Sequence, residues 1–444
     1  MLKSLKNIYL LIPDSISEYI IKIFNLNPYF QKKTWERIKK IGKTYQDLEV
    51  LEKNLINLRN KIKRNKYYKQ YNIENIFDFK MSDSEILRNN FESIIERNIK
   101  GYLSSTGGSG RKPSKLFLSN ESYYVDLSYL VYSFWKLGYK KGDRKLTLRG
   151  VDLKGKLYKY NPIYNELQIN IFLMSEENIE SLLKEIEKFN PNFGHGYPSA
   201  FIRLSQLLKN RKLNFQLKGI CLASESFNET QREIIEKVFK CKARGFYGHS
   251  ERAAFANEKL EEKGVYEVFL NYGLIEIIKE DGSKAKENER GEIVCTGFIN
   301  EAMPLIRYKT GDFATVNKIQ NGIVLEIKDL IGRWGKDFVY NKNGHPIPTT
   351  AINIHSDIQY QFKYIQLYQK NIGDLIIKLV PWDKKDEKLN LYLKEIKRDF
   401  ENKLKNINII VKLVEESNIY ISHRGKIPYL ITEIKINKRE ICKR

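Results

Sequence analysis

Between residues 116 and 315 short apolar runs alternate with amphipathic segments. That alternation restricts the chain to an α/β architecture. Residues 170–174 read as a strand and 176–189 as a helix with Ser175 as its N-cap. Residues 199–209 read as a second helix, 218–223 as a short buried strand and 229–239 as the helix after it. From Val265 onward strand-like runs are separated by Asp281-Gly282 and Glu289-Arg290-Gly291, which predicts an antiparallel lobe. Upstream, Trp35, Ile38, Ile41, Tyr45, Leu48, Leu51, Leu55, Leu58 and Ile62 recur at three- and four-residue steps, a helical stripe. Past Ile331, Gly332, Gly335 and Gly344 with Pro346 and Pro348 mark a linker. A small α+β unit follows, with strands at 364–368, 375–380, 407–414 and 431–436 and a helix at 388–406. The expected division is a helical extension over 1–100, a large domain over 101–332 and a small C-terminal domain over 333–444.

At 444 residues the chain is too long for one ordinary core, and its 42% hydrophobic content suffices for more than one. The formal charge of +23 comes mainly from dispersed Lys. A solvated Lys-rich surface explains that charge; a polyphosphate substrate or a peripheral contact with an anionic membrane are the functional readings. Residues 60–71 mix Lys, Arg and Tyr, but no nucleic-acid module pattern accompanies them, so no nucleic-acid partner is expected. Cys221, Cys241, Cys295 and Cys442 lie far apart and form no paired motif. This spacing argues against a zinc site or a disulfide framework and suits a cytoplasmic location. Pro13 and Asp14 cut the first apolar run short, and no stretch approaches the ~18 apolar residues of a spanning helix.

Ser104-Ser105-Thr106-Gly107-Gly108-Ser109-Gly110-Arg111-Lys112-Pro113 concentrates hydroxyls, glycines and cations between structured segments. Glycines let backbone N–H groups converge on an anion, and hydroxyls and cations add donors to phosphate oxygens. The Walker pattern fails because Lys112 is flanked by Arg111 and Pro113. The dinucleotide fingerprint fails because Pro113 holds the place of its third glycine. A phosphate-gripping loop and a flexible surface loop both remain open on this string alone.

Four further strings bear on the choice. Phe246-Tyr247-Gly248-His249-Ser250-Glu251 offers an aromatic face for a purine and a hard carboxylate for Mg²⁺. A nucleophile elbow is excluded there because Arg252 replaces its closing glycine; a capped helix start at Ser250 is the structural alternative. Pro304-Leu305-Ile306-Arg307-Tyr308-Lys309-Thr310-Gly311-Asp312 is the most specific string in the chain. Leu330-Ile331-Gly332-Arg333-Trp334-Gly335-Lys336-Asp337 falls at the domain boundary, and His423-Arg424-Gly425-Lys426-Ile427-Pro428 lies late in the chain.

Together these strings resemble the acyl-adenylate-forming enzymes, which include acyl-CoA synthetases, peptide-synthetase adenylation domains and luciferases. Phe189-Asn190-Pro191-Asn192-Phe193-Gly194-His195-Gly196-Tyr197-Pro198-Ser199-Ala200 and Ala223-Ser224-Glu225-Ser226 resemble the phenylacetate–CoA ligase branch, and more narrowly its CapK-like members. The resemblance covers roughly residues 100 to 436. It implies a large multi-subdomain adenylating domain, α/β sheets plus an antiparallel lobe, with a small mobile α+β domain behind a hinge. It also implies ATP and Mg²⁺ as cofactors. Ser105, Thr106, Gly107, Gly108, Ser109, Gly110 and Lys112 would then grip phosphates, while Ser224, Glu225, Tyr247 and Gly248 border adenine. Ser250 would touch the α-phosphate, Glu251 hold Mg²⁺, Asp312 accept the ribose hydroxyls and Arg333 face the nucleotide. Asp337 would lie at the hinge, and Lys426 would assist adenylation and then swing away. His195, Tyr197 and His249, with Tyr164, are candidates for the acyl pocket.

The implied activity is adenylation of a carboxylic acid and transfer to a CoA thiol or to an amine. In CapK-like members a sugar amine of surface-polysaccharide biosynthesis is one such acceptor. The alternative is a homologue that binds nucleotide or acyl group without chemistry, and the glycine run, which departs from the family's order and length, is the feature on its side. A basic nucleic-acid scaffold is a third reading.

Overall fold

The computed structural model describes residues 32–434 other than 72–74, 106–113, 152, 226, 228, 332–337, 350–351, 353–357, 359–360, 382 and 421–428. The N-terminal stripe forms two helices, α1 (Lys32–Thr44) and α2 (Leu48–Ile62). They are separate because the Asp47 carboxylate accepts from the N–H groups of Glu49 and Val50, capping a new helix where the first has ended. Two short helices, α3 (Ser84–Asn89) and α4 (Phe91–Ile94), lead into the hairpin β1 (Gly101–Ser105) and β2 (Lys115–Ser119). The long α5 (Asn120–Lys136) follows, capped by Ser119.

An α/β series comes next: β3 (Lys145–Arg149), β4 (Tyr158–Asn161), β5 (Glu166–Asn170), α6 (Ile179–Phe189), β6 (Phe193–Gly196), α7 (Pro198–Leu208), β7 (Gly219–Leu222), α8 (Glu229–Phe239) and β8 (Lys242–Gly248). Antiparallel strands β9 (Phe255–Glu258), β10 (Val265–Val268), β11 (Gly273–Ile278), β12 (Arg290–Gly297), β13 (Tyr308–Gln320) and β14 (Ile323–Ile331) complete the large domain. Among the described residues these strands form one sheet in the order β11-β12-β13-β14-β10-β9-β8-β7-β6-β3-β5-β4. The series β5-β3-β6-β7-β8 is parallel, and the direction reverses between β8 and β9. Every residue of β6 and β7 is buried, as expected of strands covered on both faces.

One face carries Leu146, Leu148, Ile220 and Leu222 against Leu182, Phe201, Leu204 and Ile235 of the crossover helices. On the other, Val131 and Phe134 of α5 pack with Phe193, Cys221 and Ile38 and Ile41 of α1. Leu51, Leu58 and Ile62 of α2 enter the core of the antiparallel lobe. Both N-terminal helices therefore share cores with the sheet. The last part of the chain has its own core. There β15 (Phe338–Tyr340) pairs with β16 (Pro346–Pro348), and β17 (Phe362–Gln369), β18 (Asp374–Pro381), β19 (Asn408–Leu413) and β20 (Leu430–Thr432) form a four-stranded sheet beside α9 (Leu389–Lys403).

Some boundaries depart from expectation. The strand expected at 170–174 is β5 ending at Asn170, whose side chain accepts from the Phe172 N–H at 3.2 Å and turns the chain. Ser175 does not cap the next helix; its own N–H donates to the Asn178 carboxamide at 3.1 Å, and the helix begins at Ile179. No helix starts at Ser250: the chain turns through Arg252, at φ +55°, into β9.

Lys145 opens β3 with a fully buried side chain whose ammonium donates to the Tyr164 carbonyl and lies 5.6 Å from the Tyr139 ring centre. Burial pulls its pKa down from 10.5 to about 8, only partly opposed by Glu166 and Asp143. The unfolded chain therefore binds the extra proton more readily, so this group adds stability as pH rises from 8 to 10.5. At about 1.4 kcal/mol per unit the change is about 3 kcal/mol. In urea unfolding, the stability of wild type relative to Lys145→Met should rise by that order across this window; a pH-independent difference would contradict the burial cost.

Candidate active site

In open α/β sheets ligands sit beyond the carboxyl ends of the parallel strands, and here those ends carry the residues singled out in the sequence. His195 of β6 lies opposite Thr147 of β3 and Cys221 of β7. Gly196 is required by close packing: a Cβ there would meet the Leu148 carbonyl oxygen at 2.1 Å. Just past β7, Ser224 is exposed and adopts φ +71°, a conformation that costs a non-glycine residue on the order of 1–3 kcal/mol. Glu225 follows it, half-buried. Strand β8 carries Tyr247 and Gly248 to the same edge, and exposed Ser250 and buried Glu251 lie just beyond.

The reversal between β8 and β9 brings the antiparallel lobe alongside. Tyr247 donates its hydroxyl to Asp312 Oδ2 at 3.0 Å, and both side chains are buried. Burial first, and the neighbouring Asp312 carboxylate second, push the Tyr247 phenol well above its ordinary pKa, so it remains a donor. The Asp312 N–H donates to Thr310 Oγ1 at 3.1 Å, and that hydroxyl donates to the Ile293 carbonyl at 2.8 Å. Glu251 is held similarly: Tyr308 donates to Oε1 at 3.1 Å and His249 Nδ1 lies 3.1 Å from Oε2. The carboxylate accepts from the Nδ1–H, which leaves Nε2 as the ring's other polar atom. That Nε2 is buried and has no hydrogen-bond partner among the described residues.

Sequence reasoning missed two arginines that hold this edge. Arg252 donates to Ser122 Oγ at 2.8 Å and to the Tyr102 hydroxyl at 3.0 Å, and lies 3.5 Å from Asp126. It ties the turn after Glu251 to α5 and β1. The signal was its place at the end of the Tyr-Gly string, where it had only excluded a nucleophile elbow. Arg307, inside the most specific string, reaches Glu276 through Nε at 2.9 Å and Nη2 at 3.2 Å. Its Nη1 donates to the Phe77 and Phe79 carbonyls at 2.7 and 2.9 Å. In this chain Arg307 braces the strand that bears Asp312.

His195, expected in the acyl pocket, is buried under the edge with its ring 5.5 Å from Phe134 and 6.2 Å from Phe246. Burial holds its pKa well below the ordinary value. Tyr197, expected beside it, packs into the apolar core under the crossover helices. Ser105 ends β1 opposite Lys115. Thr106, Gly107, Gly108, Ser109, Gly110, Lys112, Arg333, Asp337 and Lys426 lie outside the described residues. Among the described residues no helix is long and apolar enough to cross a membrane, and no three His, Cys, Asp or Glu gather as a metal site.

No family model matches the chain. The protein CapK of Staphylococcus aureus is 26% identical over 93% of this chain and 95% of its own length. A phenylacetate-coenzyme A ligase of Pseudomonas putida is 23% identical over 54% of this chain and 57% of its own. The solved structure of 2-hydroxyisobutyryl-CoA ligase in complex with 2-HIB-AMP and CoA, in the thioesterification state, aligns with TM-score 0.54 over 87% of this chain and 89% of that one. At 14% identity that likeness is one of fold.

Removing the Tyr247 hydroxyl leaves a buried carboxylate short of a donor, so Tyr247→Phe should lower stability by about 2 kcal/mol, read from the urea midpoint. A loss under about 0.5 kcal/mol would show that this hydrogen bond does not hold the edge together.

Proposed function

We propose that this chain, which belongs to the phenylacetate–CoA ligase and CapK-like branch of the acyl-adenylate-forming superfamily, is an ATP-dependent ligase acting on a carboxylic acid. The observation that carries the reading is the convergence of Tyr247, Glu251 and Asp312 from two strings some sixty residues apart onto one sheet edge. The chemistry fits a nucleotide. Asp312 presents an acceptor at a fixed height for ribose hydroxyls, while exposed Gly248 and Ser224 leave room for a base. Glu251 is a buried carboxylate at this edge, engaged by Tyr308 and His249, and a hard carboxylate suits Mg²⁺, an ion that takes one or two carboxylates and completes its shell with water and phosphate. When bound, the ion would neutralise phosphate charge.

In the first half-reaction a carboxylate oxygen of the acid attacks the α-phosphorus of ATP. The bond to the bridging oxygen of the β-phosphate breaks, and pyrophosphate leaves with that electron pair. The hydroxyls and Lys112 of the glycine run hold the phosphates, Ser250 meets the α-phosphate, and Lys426 stabilises the charge that grows there. On the family resemblance Arg333 is assigned to the nucleotide and Asp337 to the hinge, both outside the described residues. In the second half-reaction a nucleophile attacks the acyl carbon and AMP departs. A CoA thiol is the acceptor that the names of the phenylacetate-coenzyme A ligase relatives support; an amine, such as a sugar amine of polysaccharide biosynthesis, is the acceptor that the CapK-like sequence resemblance adds. A cytoplasmic location follows from these substrates. The departure of the glycine run from the family's order and length favours one rival, a homologue that binds nucleotide without turnover.

Acid-dependent release of pyrophosphate from ATP, trapped with hydroxylamine, tests the reading. Lys426→Ala should slow release at least about 10²-fold while ATP affinity stays within about threefold; wild-type rates would remove Lys426 from the chemistry. Asp312→Ala should weaken ATP binding about tenfold or more in calorimetric titration, and unchanged affinity would reject the ribose role.

A further inference from the structure

A groove lies at the opposite end of the sheet from the active edge. Helices α7 and α8 both end there, before the chain enters β7 and β8. The groove has a volume of about 990 Å³. Strand β8 has 7 residues, so at ~3.3 Å per residue the groove stands on the order of 20 Å from Gly248. Its apolar lining includes Phe215, Ile234 and Val238, each half-buried. Lys209, Arg211, Lys212, Lys237 and Lys240 also line it, and among the described residues no Asp or Glu does.

Arg211 is already engaged: its Nε lies 2.6 Å from Glu180 and its Nη2 3.2 Å from Glu176. The four lysines are exposed and have no ion-pair partner among the described residues. Lysines near a helix end answer the partial charge of its last carbonyls, about half a unit per helix, and four exceed that need. Lys240 adopts φ +51°, the left-handed conformation that glycine takes without strain, so its cation stands there at a conformational cost. Ser205, buried in the same lining, has an Oγ with no hydrogen-bond partner among the described residues. Buried hydroxyls are nearly always satisfied, and a phosphate oxygen would accept from this one.

We propose that this groove seats an anionic phospholipid of a membrane surface, its phosphate among the four lysines and the start of an acyl chain along Phe215, Ile234 and Val238. Charge complementarity calls for an anion, and the apolar floor calls for an amphiphile rather than a free phosphate. The rim favours lipid over an acidic protein. Protein interfaces are rich in Arg and aromatic residues and poor in Lys. A Lys ammonium instead follows a fluid charged surface while its stem covers apolar atoms. The volume suits a headgroup and part of one chain. Because the groove is at the amino ends of the strands, contact with a membrane there leaves the carboxyl edge uncovered. This inference does not depend on the adenylation reading.

The test is co-sedimentation of the full chain with vesicles of phosphatidylcholine alone, or with about one third phosphatidylglycerol. Wild type should partition onto the anionic vesicles at least about tenfold more than onto the neutral ones, and the gain should shrink as salt is raised. At about fivefold per lysine, the combined variant Lys209→Gln, Lys212→Gln, Lys237→Gln and Lys240→Gln should cut that binding on the order of 10²-fold. A control with Lys39→Gln, Lys40→Gln, Lys43→Gln and Lys53→Gln removes the same charge from exposed positions of α1 and α2. It should change binding less than about fivefold. Phe215→Ser, which leaves every charge in place, should lower binding about threefold or more. Equal binding to both vesicle types, an equal loss in the two lysine variants, or no loss in Phe215→Ser would overturn the proposal. So would displacement from vesicles by inorganic phosphate at the same phosphate concentration, the mark of a soluble-phosphate site. Poly-glutamate binding that the groove variant loses while its vesicle binding persists would assign the groove to an acidic protein and overturn it too. If Phe215→Ser fails to fold, the two lysine variants decide.

Discussion

Strand β8 is paired parallel on one side and antiparallel on the other, and the arrangement of the site depends on that mixed pairing. A parallel strand places its carboxyl end among the carboxyl ends of its neighbours, which gathers Gly196, Ser224 and Gly248 along one edge. An antiparallel partner turns the chain back at once and brings the lobe that bears Tyr308 and Asp312 against the same edge. Neither half alone would bring Tyr247 to Asp312.

The polar groups at this edge are held by hydrogen bonds to one another, which is how buried polar groups become tolerable in a low-dielectric interior. Asp312 takes a donor from Tyr247, and Glu251 takes one from Tyr308 and one from His249. Arg307 and Arg252 brace the two sides from outside, each at positive φ, so local strain is held by charged contacts with Glu276 and with Ser122, Tyr102 and Asp126. Side chains fixed in this way need little rearrangement when a substrate arrives, the condition under which oriented groups contribute most to catalysis.

The architecture was legible because buried parallel strands read as apolar runs and crossover helices as amphipathic ones. Boundaries were less so where side chains compete with the backbone. Asn170 and Asn178 use their carboxamides to turn the chain, and helix periodicity carries no mark of that competition. The motif residues were legible as strings; the Tyr247–Asp312 hydrogen bond that joins two of those strings was not. Arg252 with Tyr102, Ser122 and Asp126 was not legible, because each partner lies more than a hundred residues away and no local pattern joins them. Tyr197 sits in a suggestive string yet packs in the core, since its neighbours Phe201 and Leu204 on the following helix face the sheet.

The central claim is that ATP is cleaved between its α- and β-phosphates by a carboxylate. The most direct measurement identifies the nucleotide and phosphate products formed from ATP when protein, Mg²⁺, a turned-over acid and hydroxylamine are mixed. AMP and pyrophosphate in equal amounts, each matched by one acyl hydroxamate, is the result expected. ADP with inorganic phosphate, or ATP that binds and is recovered intact with every acid, would contradict it.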